Sequence, residues 1–163
     1  MMRRAPTSAR PAAFVLPAVV LGVGLGAFID GIVLHQVLQW HHMASAVDPP
    51  VTLEALRLNT LLDGGFHAAA WVVTLAGVIL LWRAAAITRT GPPSGLLLGG
   101  LLTGFAGFNL VEGVVNHLLL GLHHVRDGPD AAAYDAGFLL VSALLFVVGS
   151  ALVRRSMRAA ALV

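Results

Sequence analysis

The sequence contains no cysteine and no lysine, and charged residues make up only 11% of its 163 positions. Without cysteine there is no disulfide, no thiolate metal site and no thiol redox couple, so any metal would have to be held by imidazole and carboxylate. Without lysine, all ten basic residues are arginine. Charge this sparse, beside 58% hydrophobic residues and a mean hydropathy of +0.86, excludes an ordinary soluble protein and indicates an integral membrane one. A pI near 10.4 invites a nucleic-acid reading. The arginines, however, are placed by topology rather than gathered on a soluble face, so no nucleic-acid partner is expected. The length fits one domain.

What the sequence does have is one stretch that occurs twice. Asp30 to His42 lines up without a gap on Glu112 to His124, and both copies read acid-Gly-x3-His-x5-His-His. Six of the seven histidines, His35, His41, His42, His117, His123 and His124, fall at matched positions. Coincidence is a poor account of so scarce a residue, and the pattern reads as an internal duplication. A weaker match sets Asp63-Gly64-Gly65-Phe66-His67 against Asp135-Ala136-Gly137-Phe138-Leu139, with leucine where the first copy has His67.

Each copy closes a long apolar run. The expected fold is all-α: an integral membrane four-helix bundle built by two-plus-two duplication, its halves related by a pseudo-twofold axis along the membrane normal. The helices are expected at about residues 13–40, 58–82, 94–122 and 132–153 within a transmembrane domain of residues 12–157. Residues 1–11 and 158–163 are expected as cytoplasmic tails, the first disordered. A cleaved signal peptide is disfavoured, because the first apolar run is too long and carries Asp30 and His35.

Arg3, Arg4, Arg10, Arg83, Arg89, Arg154, Arg155 and Arg158 lie on one side of this arrangement, and only Arg57 and Arg126 on the other. The positive-inside rule then puts both termini in the cytoplasm of a bacterial inner membrane and the double histidines at the outer face. Along a straight helix, His35 and His117 lie roughly 10 Å, and Asp30 and Glu112 roughly 18 Å, inward of His42 and His124. Asp63 and His67 fall in the same slab.

An ionised carboxylate in mid-membrane costs about 2.5 to 3.5 kcal/mol, so acids and histidines gathered there need something to neutralise them. A divalent transition metal, iron, copper or zinc, accepts imidazole and carboxylate together. The expected inner centre is His35, His67, His117, Asp63 and Glu112, with Asp30 as ligand or outer partner. His41, His42, His123 and His124 are expected as a second site or entry funnel, because a straight helix holds His35 and His42 two turns apart. Asp135 reads as a cap or rim residue at the wet end.

At the signatures FIDGIVLHQVLQWHHM, NTLLDGGFHAAAW and FNLVEGVVNHLLLGLHH, the chain resembles the bacterial membrane protein family labelled domain of unknown function 2243, over nearly all of Phe28 to Gly149. The resemblance implies a small four-helix inner-membrane protein and a neighbourhood of assembly factors for copper-containing terminal oxidases. It implies no activity.

Four functions follow from these residues. The first is a membrane metalloprotein acting as a non-haem oxidoreductase on oxygen or a small hydrophobic substrate. The second is a copper or zinc handling factor linked to a respiratory assembly partner. The third holds haem b between His35 and His117. The fourth is a proton or ion pathway.

Overall fold

The computed structural model describes residues 11–162. The tail expected over residues 1–11 therefore lies, apart from Pro11, outside the described residues. The fold consists of four long helices: α1 (Pro11–Val37), α2 (Leu53–Thr88), α3 (Ser94–Leu119) and α4 (Ala131–Ala160). Each is long and apolar enough to cross a membrane, and no strand occurs among the described residues.

The helix ends differ from the sequence expectation for local reasons. α2 begins earlier because the Thr52 side chain accepts the Ala55 amide at 3.1 Å, a standard N-cap. α4 runs on to Ala160 through its arginines, since no Pro or Gly interrupts residues 150–160. α1 and α3 stop short at Val37 and Leu119 because left-handed residues follow, Gln39 at φ 49° and Gly121 at φ 58°.

α1 packs against α3, α2 lies on α1, and α4 lies on α3. Lipid offers no hydrophobic drive between helices, so close backbone approach at small residues must hold this row together. A Cβ at Gly22 would strike the Leu101 carbonyl, and one at Gly104 the Val19 carbonyl. The outer helices use the same device, Gly77 of α2 against Leu21 and Gly149 of α4 against Thr103.

The two ends of the bundle differ in kind. Where α1 and α3 begin, Phe14, Ala84 and Leu96 form a small buried apolar cluster. The opposite end, which carries the α1–α2 and α3–α4 connections, buries His35, His41, Asp63, Glu112, His117, His123 and Asp135.

Candidate metal centre

Two local departures from a straight α-helix build the site. The last turns of α1 and α3, Asp30–Val37 and Gly113–Leu119, are wound as π-helix. In an α-helix, residues five apart point about 140° away from each other. With i→i+5 bonding the fifth residue returns over the first. This brings His35 Nε2 to 3.3 Å from Asp30 Oδ2 and His117 Nε2 to 3.0 Å from Glu112 Oε1. The chain then reverses at Gln39 and at Gly121, where the following amides, Trp40 and Leu122, bond back to Leu34 and Asn116, each at 2.9 Å.

That reversal corrects the straight-helix separation of the two histidine groups. His41 and His123 fold back into the interior and stack face to face, ring centroids 4.4 Å apart and 4° from parallel. His35 sits edge-on to His41 at 4.4 Å, and His117 edge-on to His123 at 5.0 Å. Both stacked histidines are inner residues, 2% and 1% exposed, and not parts of a rim. Both rings stand beside His35 and His117, at centroid distances of 4.4 to 6.3 Å.

Each half holds its imidazoles by the same contacts. Asp63 accepts His35 Nδ1 at 2.9 Å, His42 Nδ1 at 2.7 Å and the Met43 amide at 2.9 Å. In the other half Asp135 accepts His124 Nδ1 at 2.7 Å and the Val125 amide at 2.9 Å, and it faces His117 Nδ1 at 3.1 Å. The stacked pair is tied across the halves: His41 Nδ1 donates to the Val125 carbonyl at 2.9 Å, and His123 Nδ1 to the Met43 carbonyl at 3.1 Å. Asn59 braces the α1–α2 connection, accepting the Ala44 amide and donating to the Asp48 carbonyl.

A carbonyl only accepts, so Nδ1 of His41 and of His123 carries a proton. In the neutral imidazole Nε2 is then a bare lone pair. His41 Nε2 and Glu112 Oε2 are buried without any hydrogen-bond partner, and the buried Nε2 atoms of His35 and His117 have only the ion-pair contacts to Asp30 and Glu112, without hydrogen-bond geometry. His123 Nε2 lies 2.8 Å from Glu112 Oε1. Such N···O spacings match the edges of a coordination polyhedron, since ligands at about 2.1 Å from an ion stand ~3.0 to 3.4 Å apart. Two groups sharing His123 are positioned to hold a metal ion: His35, His41 and His123, and Glu112, His117 and His123. Burial pushes His41 down to about 4, with repulsion from His123 and His35 adding to it, so this imidazole stays neutral and free to ligate at neutral pH.

The remaining candidates sit farther out. Asp63 orients His35 and His42 from behind, and His42 and His124 bind Asp63 and Asp135 rather than joining the inner nitrogens. His67 turns aside, its Nδ1 bonded to the Asp63 carbonyl at 2.8 Å and its ring beside Phe28 and Phe66. Asp135, read from sequence as a cap or rim residue, is 2% exposed and does for the second half what Asp63 does for the first. Its alignment with Asp63 was the available signal.

A family model described as a predicted membrane protein, DUF2243, matches residues 17–156. The chain belongs to the DUF2243 family. The family description gives a membrane protein and names no activity, so the DUF2243 bundle's chemistry has to be argued from its own side chains. No curated protein and no solved structure shows significant similarity to the chain.

Proposed function

We propose that the protein is a membrane metalloprotein whose centre is a divalent transition metal held by His35, His41, His117, His123 and Glu112, with Asp30 completing or neighbouring the set. Asp63 and Asp135 act behind the ligands, and His42 and His124 link those carboxylates to the surface. His67 drops out of the ligand set. One observation carries the reading: the Nδ1 atoms of His35, His41 and His123 turn toward outlying acceptors, while the Nε2 atoms of His35, His117 and His123 face the inner carboxylates and that of His41 has no partner. Each buried polar atom left so costs about 1 to 3 kcal/mol, and a cation at their convergence removes that cost. The outer carboxylate on a ligating histidine is the arrangement that fixes ring orientation and raises ligand basicity in metal sites.

Imidazole with carboxylate fits iron, copper or zinc, and two donor groups sharing His123 leave room for one ion or a bridged pair. The repeated contacts at matched positions support an internal duplication, and the arginine distribution supports a centre near the outer face of the membrane with both termini inside. Elemental analysis of purified protein, wild type beside His41→Ala and His123→Ala, tests the reading. Stoichiometric metal in the wild type and its loss in both variants is expected. Equal metal content in all three overturns it.

A further inference from the structure

The two halves of the cluster are not equally closed to the surface. His42 and His124 occupy matched positions, and each binds the outlying carboxylate of its half at 2.7 Å. The side chain of His42 is 14% exposed, however, and that of His124 is 36% exposed. An accessible imidazole with a carboxylate behind it is a donor pair that a divalent transition metal meets before any buried nitrogen.

The carboxylates behind these histidines differ in what they have left to offer. Asp63 accepts from His35, His42, the Met43 amide and, at 3.3 Å, the Gln36 side chain. A carboxylate has about four lone-pair sites, so Asp63 has none to spare. Among the described residues, Asp135 accepts only from His124 and the Val125 amide. Its Oδ1 stands 3.1 Å from His117 Nδ1, a buried nitrogen with no hydrogen-bond partner on a residue 3% exposed. A cation arriving at Asp135 therefore breaks fewer bonds than one arriving at Asp63. The donors then continue inward, His117 Nε2 to Glu112 Oε1 at 3.0 Å and Glu112 Oε1 to His123 Nε2 at 2.8 Å.

The chain around each entrance differs in the same sense. Asn59 ties the α1–α2 connection to α2, accepting the Ala44 amide at 3.0 Å and donating to the Asp48 carbonyl at 2.8 Å. Ala131 occupies the position matching Asn59, and Leu118 the position matching Gln36, so the second half has neither brace. We infer that divalent metal enters the cluster through the second half, binding first at His124 and Asp135 and passing His117 to reach the inner donors, while the first half stays shut. This route rests on the metal-centre reading and adds a loading station to it. His124 then governs how fast the centre fills and not how full it becomes, because the inner donors hold the ion once it is seated.

The test separates rate from occupancy. Full-length protein in lipid nanodiscs is stripped with a chelator and mixed rapidly with zinc and a weak, fast-exchanging coloured indicator, whose loss of colour gives the uptake rate. Elemental analysis of the same samples gives the final content. His124→Ala should slow uptake by about tenfold or more at unchanged final zinc, whereas His42→Ala should fill within about twofold of the wild-type rate. His124→Gln keeps a donor for Asp135 while removing the imidazole, so it should slow uptake likewise even if the alanine variant fails to fold. Wild-type uptake in His124→Gln, or equal slowing by His42→Ala, overturns the route. The two failures are distinct: full zinc content with a rate indifferent to His124 sinks the route alone, and no zinc in the wild type sinks the metal centre itself.

Discussion

Asp63 holds His35 and a backbone amide, and Asp135 holds a backbone amide and faces His117, so in the proposed centre their effect on a bound ion would be indirect but strong. Asp63→Asn and Asp135→Asn should each lower metal affinity by about 10- to 100-fold, measured by competition with a coloured chelator, while Asp48→Asn leaves it unchanged. His41 gives the pH dependence. Its folded value near 4 lies below the ordinary 6.5, so between these values the unfolded chain takes up a proton that the folded one refuses. Stability is therefore lost as pH falls from 6.5 toward 4. Chelator-treated protein should show a falling unfolding temperature over that window, and His41→Asn should flatten the slope.

At the scale of elements, the two π-turns and the left-handed residues after them deliver the inner histidines. Gly121 has open space at its Cβ position but a φ of 58°, so a substitution there is resisted by the backbone and not by crowding. Gly121→Val should cost about 1 to 2 kcal/mol of stability and release metal by displacing His123, as elemental analysis and thermal unfolding would register. Gln39→Gly, at the matched turn, should leave metal content intact and raise stability by up to about 1 kcal/mol. The acid-Gly-x3-His spacing was plain in the sequence, but its meaning was not. A five-residue separation reads as divergent on an α-helix, and it converges only once the helix widens.

For the whole molecule, an ion gathered from both halves would join α1 and α3 at one end, while glycine contacts join them along their length. Removing metal should lower the unfolding temperature, and excess metal should restore it, by an amount that grows with the logarithm of free metal over Kd. The absence of cysteine makes topology directly testable. Asp127→Cys should react with a membrane-impermeant maleimide added outside intact cells, and Arg158→Cys should react only after the membrane is breached. Labelling of Arg158→Cys from outside would reverse the orientation drawn from the arginines.

Sequence alone determined four apolar spans, the paired histidine stretches and the restriction to imidazole and carboxylate ligands. Hydropathy and composition act locally and survive any arrangement of the helices. Tertiary structure alone decided which histidines turn inward. His41 and His123 moved from rim to interior, His67 moved aside, and Asp135 became the counterpart of Asp63. The reason is physical: a helix that widens and then reverses within a few residues changes the direction of every side chain beyond it, and hydropathy carries no record of that turn.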